Sequence, residues 1–396
     1  MTFFCILFFV LGSYLTLVVG YLLLLTVAAF FFEKKTDPNA QPCSIGVIIP
    51  AHNEEASLPQ TLGSTQSAAY PLDKLSVFVL ADNCTDRTAQ VAKKFGVQVF
   101  SRHNVSNRGK GQALDWFLRR FPGAYMHSEV LVVLDADTIP DAHFFSQVSA
   151  SMAHPEVQVV QGFYGVSNPQ ASWRTSLITA ALSVFHHLRP AGRNRLGGTA
   201  GLKGNGMGFA TRILRDCGWP AQSIVEDLEF SMQLLMQGVY VHYNPEAIVR
   251  AEMASSGEQA GSQRRRWEGG RFQILGRFAL PLLASWFQNR KAGPLDGFLD
   301  LITPPLSLLV LLVLVFSLGG LIWPALGAYS LVLGLGIILY VLCGLILNRA
   351  GPRIWLALLT APVYVLWKIP LYAKIFADRK HMDWTRTKRS DEGGEP

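Results

Sequence analysis

The sequence has few charged residues and no cysteine pattern. Charged side chains make up 16% of the 396 residues and hydrophobic ones 50%, whereas soluble domains usually carry about 25% charged residues. The five cysteines are scattered, and none forms a CxxC pair. Neither a disulfide framework nor a zinc site is therefore indicated. We expect the polar part of the chain to lie in a reduced, cytosolic compartment and the apolar excess to lie in a membrane.

The net charge of +7 comes largely from short Lys/Arg clusters beside apolar runs. Such clusters favour contact with anionic lipid headgroups. Nucleic acid is the other common partner of a basic protein. The sequence has no basic stripe interleaved with aromatic residues and no known nucleic-acid motif, so no nucleic-acid partner is expected.

The first long apolar run extends from Met1 to Phe32 without a charged side chain and ends at Glu33-Lys34-Lys35. About 20 apolar residues span a bilayer core. A cleaved signal peptide would have a basic start and an apolar core of about 7–15 residues, and both are missing. Residues 1–35 are therefore predicted to be an uncleaved anchor, and the two lysines place the next domain on the cytoplasmic side.

Residues 42–272 have the texture of a soluble α/β domain. Short β-branched runs alternate with helical stretches such as Arg87–Lys94 and Gly111–Arg119. The predicted strands are Ile45–Ile49, Leu75–Leu80, Val97–Phe100, Val130–Leu134 and Val157–Gln161. This alternation predicts βαβ units and a largely parallel sheet. Ligands of such sheets bind at the carboxyl ends of the strands.

The C-terminal third is apolar again. Phe278–Phe287 suits a helix lying in the membrane interface, within a predicted interfacial region of residues 273–298. Residues 299–377 then hold two convincing spans, Leu299–Trp323 and Ala325–Leu347. A third stretch, Ile354–Ala377, is interrupted by Pro362, Lys368 and Pro370, and a kinked, a re-entrant and an interfacial helix all remain open for it.

The basic tail at residues 378–396 prefers the cytoplasm. Three C-terminal spans would place it on the opposite side, so the number of spans, two or three, stays open.

Polar residues follow the first two predicted strands. The loop that begins at Ala51 carries Glu54, which offers a hydrogen-bond partner for a nucleotide base, although an ordinary polar loop would look the same. Asp82 can accept hydrogen bonds from a ribose or a base. Thr85 and Asp86 fit the capping of the next helix better.

The next two motifs suit a diphosphate and a metal ion. Lys110 lies between two glycines before a helix, without the spacing of a P-loop, and is suited to a diphosphate. Asp135 and Asp137 follow the most apolar predicted strand. Two carboxylates at a strand end can share a hard cation such as Mg²⁺ or Mn²⁺. The alternative is a capped turn helped by Thr138 and Pro140.

Two motifs further along suit a second ligand, one that reacts through a hydroxyl group. Gly204 and Asn205 lie in a glycine-rich stretch that permits close approach of the backbone to a ligand; a flexible loop is the alternative. Glu226 and Asp227 open a helical segment, where acidic residues also occur for helix stability alone. A placed carboxylate can take the proton from an attacking hydroxyl, and Asp227 is the first choice, with Glu226 second.

The string Gln263-Arg264-Arg265-Arg266-Trp267 is basic and aromatic. Three arginines alone fit a basic patch near lipid. Arginine also binds phosphate through two parallel hydrogen bonds, and tryptophan offers a flat face to a sugar. On a helix, Gln263 and Trp267 would share one face, with Arg266 beside them.

In this order the motifs resemble the inverting membrane glycosyltransferases of family 2, which include hyaluronan, chitin, cellulose and poly-N-acetylglucosamine synthases, with ceramide glucosyltransferase as a relative. The matching elements are IPAHNEE, the aspartate of ADNCTD, DAD, GNG, VED in place of the usual TED, and QRRRW as QxxRW. They occur over roughly residues 45–267. The departure at Val225 puts the hydrogen bonding of the base in doubt.

The resemblance implies a GT-A, Rossmann-like nucleotide-sugar domain flanked by transmembrane helices, a UDP-sugar donor and Mg²⁺ or Mn²⁺. Asp82 would hold the nucleoside, Asp137 the metal, and Asp135 would lie near the diphosphate. Asp227 would be the base. Arg266 and Trp267 would close over the diphosphate and the acceptor.

The expected reaction is a single displacement that forms a β-linkage, in the synthesis of an exported polysaccharide. Transfer of one sugar to a membrane lipid is the closest alternative. A non-catalytic subunit of a secretion complex is disfavoured by the intact motifs. A transporter would have polar residues within its spans, and the runs Leu306–Phe316 and Leu331–Leu347 contain no Asp, Glu, Lys, Arg or His. Export-complex subunits would be further partners.

Overall fold

The computed structural model describes residues 2–254 and 257–377. The predicted basic tail, 378–396, lies outside the described residues. The strands are β1 (Ile45–Ala51), β2 (Leu75–Asp82), β3 (Gln98–Arg102), β4 (Val130–Val133), β5 (Thr138–Pro140), β6 (Val159–Val166), β7 (Met207–Ala210) and β8 (Val241–Ala251). The helices are α1 (Thr2–Phe30), α2 (Leu58–Gln66), α3 (Thr88–Lys94), α4 (Lys110–Arg120), α5 (Pro122–Tyr125), α6 (Phe144–Met152), α7 (Trp173–Leu182), α8 (Arg189–Arg195), α9 (Thr211–Cys217), α10 (Glu226–Met236), α11 (Gly257–Asn289), α12 (Ala292–Ile302), α13 (Leu306–Ser317), α14 (Pro324–Leu347), α15 (Pro352–Ala357) and α16 (Ala361–Ala377).

The chain forms two compact units. The sheet unit comprises residues 33–168 and 199–254, and the helical unit comprises the described residues of 1–32, 169–198 and 255–381. All eight strands belong to the sheet unit.

The sheet unit contains one eight-stranded sheet in the order β3-β2-β1-β4-β7-β6-β8-β5. Strands β3, β2, β1 and β4 are mutually parallel, as the alternating pattern predicts. The second half is mixed, because β7 runs antiparallel to both β4 and β6 while β8 is parallel to β6. The sheet is therefore mixed rather than largely parallel, within a mixed α/β domain.

Apolar side chains of the parallel half form the core that fixes the strand ends. In β1, Val47, Ile48 and Ile49 are fully buried, and a Cβ on Gly46 would lie 2.8 Å from a Leu131 side-chain carbon. Glycine at this position therefore leaves room for the side chains that pack over β1, those of Leu131, Ser128 and Phe78. Since these strands run in one direction, Ala51, Asp82 and Val133 end at the same edge of the sheet.

The antiparallel strand β7 brings a second chain segment to that edge. Met207, its first residue, pairs with Val133, the last residue of β4. The turn that precedes β7 consequently lies at the carboxyl end of β4. Gly204 and Gly206 in this turn have φ angles of +80° and +64°, which side chains other than glycine rarely adopt.

The helical unit contains three helices long and apolar enough to cross a membrane, Cys5–Phe30, Pro324–Leu347 and Pro352–Ile375, with Ala292–Ile302 plus Leu306–Leu321 as a bent fourth candidate. The span expected over Leu299–Trp323 overlaps this bent pair, in which α12 and the following helix meet at 68°, and it stays a prediction. Pro304 and Pro305 lie at this break, and proline cannot continue the helical hydrogen bonding. The stretch Ile354–Ala377, for which the sequence leaves three kinds of helix open, overlaps the candidate span Pro352–Ile375, and the expected span Ala325–Leu347 overlaps the candidate span Pro324–Leu347.

The expected interfacial segment Phe278–Phe287 lies within α11, a helix of 33 residues that contains Pro281. Its place in a membrane interface stays a prediction, as do the other domain boundaries of the sequence analysis.

Candidate active site

The motifs for which the sequence predicts nucleotide binding lie where three parallel strands end. Asp82, the last residue of β2, is buried. His52, which follows β1, contacts the Asp82 carbonyl oxygen through Nδ1 at 2.7 Å. Asn53 and Asn83 adopt φ angles of +56° and +52°, a left-handed conformation that asparagine tolerates better than most residues. The chain thus turns sharply after both strands.

The Asp82 carboxylate is held by Arg102, the last residue of β3. Arg102 Nη1 donates to Asp82 Oδ1 at 2.6 Å, and both side chains are buried. Asn83 Nδ2 donates to the same oxygen at 3.0 Å, and Arg102 Nη2 donates to the Asn107 carbonyl at 2.7 Å. Both hydrogen bonds recorded for this carboxylate in the described part of the chain use Oδ1. Arg102 and Asn83 therefore hold the carboxylate through this one oxygen.

Glu54 and the residues after Asp82 join the two loops. Thr88 Oγ1 accepts from the Glu54 backbone N–H at 2.7 Å. Asp86 accepts from the Thr88 N–H at 2.9 Å and from the Glu55 N–H at 3.1 Å. Burial raises the pKa of Asp86, but these hydrogen bonds outweigh it and leave the pKa below its ordinary value. Asp86 thus accepts from Thr88, the first residue of α3, although the N-cap residue of that helix is Arg87 rather than the predicted Thr85 or Asp86.

The Asp135–Asp137 turn and the Gly204–Gly206 turn are joined by Asn205, whose side chain is fully buried. Asn205 Oδ1 accepts from the Asp135 backbone N–H at 3.2 Å, and Asn205 Nδ2 donates to Thr138 Oγ1 at 2.7 Å. Gln161 Nε2 donates to the Asn205 carbonyl at 2.8 Å. Asn205 therefore holds the two turns together through buried hydrogen bonds.

Lys110 lies between these two turns. Its ammonium donates to Asp135 Oδ1 and to the Gly204 carbonyl. Desolvation lowers the pKa of Lys110, but the charges of Asp135, Glu226 and Asp227 outweigh it and raise the pKa above its usual value. Lys110 is therefore a fixed cation surrounded by three carboxylates, the last two of which belong to the first turn of α10.

Close packing of α4 accounts for the position of Lys110. A Cβ on Gly111 would lie 2.5 Å from the Ala221 carbonyl oxygen, so only glycine lets the start of α4 approach the loop before α10. Trp219 in that loop is fully buried and packs on Phe230 with ring centroids 4.7 Å apart. Glu229 accepts from two backbone N–H groups of the same loop, at 3.1 and 2.9 Å.

The two carboxylates at the start of α10 have raised pKa values. Desolvation, followed by the charge of Asp227, raises the pKa of Glu226 to about 7, although Lys110 opposes the shift. Desolvation also raises the pKa of Asp227, against the opposing charges of Lys110 and Lys203. A Cβ on Gly204 would lie 3.3 Å from Asp227 Oδ2, so the glycine turn borders this carboxylate. The arrangement can accept a proton near neutral pH.

The donor set at the end of β4 suits a hard divalent cation. Asp135 and Asp137 are both partly exposed, and carboxylate oxygens are the ligands that Mg²⁺ and Mn²⁺ prefer. Among the described residues, no group of three or more His, Cys, Asp or Glu side chains forms a metal cage. Phosphate oxygens of a ligand can complete a two-carboxylate site.

Gln263, Arg266 and Trp267 lie on α11, in the helical unit. The Arg264 guanidinium lies 5.0 Å from the Trp267 ring centroid, a cation–π contact. A role of these residues in closing over a ligand stays a prediction.

Sequence reasoning missed Arg102, Asn83, Asn205 as a positioning residue, and Glu229. The rule that ligands bind at parallel strand ends would have found Arg102, because it ends β3 as Asp82 ends β2. No local pattern indicates that Glu229 fixes the loop before its own helix.

A protein-family model described as "Glycosyltransferase like family 2" matches residues 42–270. The probable glycosyltransferase YdaM of Bacillus subtilis is 26% identical over 62% of this chain and 59% of its own length. The β-monoglucosyldiacylglycerol synthase of a Synechocystis species is 27% identical over 61% of this chain and 50% of its own length. The chain thus spans little more than half of these relatives.

Among solved structures, the mannosyltransferase PcManGT from Pyrobaculum calidifontis, in complex with GDP-Man and Mn²⁺, superposes with a TM-score of 0.54. The match covers 91% of this chain and 99% of that chain at 19% sequence identity. At this identity the similarity shows a shared fold.

Proposed function

The chain belongs to the family 2-like glycosyltransferases, and on that premise we propose that it transfers a sugar from a nucleoside diphosphate donor to an acceptor at a membrane. The observation that carries the proposal is the convergence of Asp135, Glu226 and Asp227 around Lys110 at the edge where the parallel strands end. The negatively charged donor needs a cation, which Lys110 supplies. The acceptor hydroxyl needs a carboxylate base, which Asp227 or Glu226 supplies.

Asp82 would bind the donor nucleoside, with Ala51 and Glu54 at the end of the neighbouring strand. Because Arg102 and Asn83 hold one carboxylate oxygen of Asp82, the other can accept a hydrogen bond from an N–H of the base or from a ribose hydroxyl. We propose a UDP-type donor. The solved relative carries GDP-Man, so both nucleotides belong in the test.

Asp227 would act as the base in a single displacement. The acceptor oxygen forms a bond to the anomeric carbon, the bond from that carbon to the diphosphate oxygen breaks, and the acceptor proton moves to Asp227. Attack from the face opposite the leaving group inverts the anomeric centre and gives a β-linkage from an α-linked donor. The raised pKa of Asp227 makes it a stronger base than an ordinary aspartate.

Asp137 and Asp135 would hold Mg²⁺ or Mn²⁺, and the solved relative is in complex with Mn²⁺. Bound there, the ion supplies positive charge to the departing diphosphate. Lys110, fixed beside Asp135, adds a second cation. Arg266 and Trp267, with Gln263, would contact the diphosphate and the acceptor.

Three candidate spans support a membrane location, and Lys34 and Lys35 support a cytoplasmic active site. The order of the sequence motifs resembles that of polysaccharide synthases, and a growing β-glycan is the first acceptor we propose. A membrane lipid is the second, favoured by the match to β-monoglucosyldiacylglycerol synthase.

The test supplies the protein in nanodiscs with Mn²⁺ and a panel of radiolabelled UDP- and GDP-sugars. Products are sized on a gel and by extraction into organic solvent. We expect transfer that Asp227→Asn lowers by about 10²–10⁴-fold, the usual contribution of a placed base. Asp216→Asn is the matched control, since Asp216 is exposed and pairs with Arg215, and we expect it to retain activity.

A long polar product would establish polymer synthesis, and a single extractable glycolipid would assign the lipid acceptor. Equal rates for Asp227→Asn and Asp216→Asn would refute the assignment of the base. No transfer from any donor would contradict the proposed reaction.

A further inference from the structure

A buried charge lies within the last candidate span. Lys368 belongs to Pro352–Ile375, and its side chain is 4% exposed. Its ammonium forms an ion pair with the Glu268 carboxylate. The rings of Tyr364 and Tyr372 lie 5.3 and 5.6 Å from the ammonium nitrogen. Ionisable residues in spans are costly to bury, and those that occur usually have a function.

Glu268 directly follows Trp267 on α11. Residues at positions i, i+3, i+4 and i+7 share one helix face, and Arg264, Trp267, Glu268 and Arg271 have that spacing. The Arg264 guanidinium lies over the Trp267 ring. This face of α11 thus carries the tryptophan together with an anion and a cation that are both buried.

Arg271 is the second fixed point on the same face. Its Nη2 donates to the carbonyl oxygens of Asp300 and Thr303, the latter at 3.2 Å. These carbonyls lie at the end of α12, which runs to Ile302, where helix carbonyls have no partner within the helix. Arg271 therefore attaches α11 to α12, and Glu268 attaches it to α16.

Two buried charges, three residues apart, therefore restrict how α11 can rotate and slide. Apolar packing alone permits a helix to change register at low cost, whereas a displaced Glu268 would leave two buried charges without partners. Fixing register is the best-supported role of buried polar pairs.

We propose that Glu268 and Lys368 are positioning residues whose ion pair sets the rotation of α11 and so orients Arg266 and Trp267 for the acceptor and the diphosphate. The catalytic consequence rests on the proposed function. The orientation of Trp267 by the pair is independent of it.

The test compares Glu268→Gln, Lys368→Met and the charge-exchanged double variant with Glu268→Lys and Lys368→Glu. Leu345→Ala is the matched control for stability, because Leu345 is fully buried in the helical unit against Ala180 and Ile354. Each protein is labelled with 5-fluorotryptophan, and Trp267→Phe assigns the Trp267 resonance in the ¹⁹F spectrum. Acceptor KM and kcat are measured in parallel.

We expect both single variants to shift or broaden the Trp267 resonance and to raise the acceptor KM at least tenfold. The exchanged variant should restore both to within about threefold of the parent. Leu345→Ala should lower the unfolding temperature without moving the resonance. If the parent shows no transfer, the proposed function fails, and the fluorine spectra still decide the positioning role.

An unchanged Trp267 resonance in both single variants would overturn the inference. So would an exchanged variant that recovers neither spectrum nor KM, or a Leu345→Ala variant that reproduces both changes. Should the single variants not fold, Glu268→Asp keeps the charge and shortens its reach. An unmoved resonance in that variant would also contradict the proposal.

Discussion

Replacing Glu226 with glutamine should remove the pH dependence of sugar transfer between pH 6 and pH 8. In the parent, desolvation and the neighbouring Asp227 raise the pKa of Glu226 to about 7 from 4.5. Coupled carboxylates release their protons in two steps that belong to the pair. The upper step leaves both groups ionised, and the added negative charge makes Asp227 a stronger base.

The size of the effect follows from that pKa. At pH 6 about one tenth of the upper step is complete, and at pH 8 about nine tenths. The parent's kcat/KM, which reports the pKa values of the free enzyme, should therefore rise about tenfold between these values. In Glu226→Gln the carboxyl group with the pKa of about 7 is absent, and kcat/KM should rise clearly less than in the parent.

The pH dependence of the free energy of unfolding is a second measurement, and its direction can be predicted. Because the pKa of Glu226 is higher in the folded state, the folded protein binds more protons than the unfolded chain between pH 4.5 and about 7. Stability therefore falls as pH rises through this window, by about 3 kcal/mol at most. Glu226→Gln should lose that fall in a denaturant series on the protein without donor.

The assay is release of nucleoside diphosphate at donor and acceptor concentrations below their KM values, with Asp216→Asn as the control for unspecific pH effects. A flat parent profile would refute the raised pKa. A tenfold rise that persists in Glu226→Gln would assign the titration to another group.

Three further changes have defined outcomes. Gly204→Ala introduces a side chain at a φ of +80° and 3.3 Å from Asp227 Oδ2; we expect folded protein by circular dichroism with kcat at least tenfold lower, and an unchanged kcat would contradict the close approach. Arg102→Met leaves the buried Asp82 carboxylate without its cation, a loss that typically costs about 3–5 kcal/mol. Chemical denaturation should show reduced stability, and calorimetry should show weaker nucleotide binding. Values like those of the parent would exclude Arg102 as a support of Asp82. Asp137→Asn should weaken Mn²⁺ binding at least tenfold in the presence of nucleoside diphosphate, measured by electron paramagnetic resonance, and unaltered binding would place the metal elsewhere.

The first four strands of the sheet could be predicted because apolar runs alternate with helical stretches there. The strand-end rule then placed Asp82 and Asp135 at one edge, and β2 and β4 confirm that placement. The antiparallel course of β7 could not be predicted, since Met207–Ala210 is short and its pairing depends on residues far along the chain. For the same reason the sequence does not predict the hydrogen bonds of Asn205 with Asp135 and Thr138.

The membrane segments were harder to predict, because composition shows how long an apolar run is but not whether its helix bends. Leu299–Trp323 is apolar enough for one span, yet the chain bends by 68° at its two prolines. From the sequence alone, Lys368 looks like an unpaired charge and argues against a span. Its partner, Glu268, is 100 residues away in sequence, so the ion pair could not be predicted.

The strand order has a consequence for the synthesis of the protein. Strands β1 to β4 all come from residues 45–133 and, within the described residues, pair only with one another and with β7. Strand β5, at residues 138–140, pairs in the described part of the chain only with β8, which ends at residue 251, and closing so long a loop slows folding. On the ribosome, the half of the sheet that contains β1 to β4 can therefore assemble from contiguous chain, while the other half must wait for about a hundred further residues to emerge.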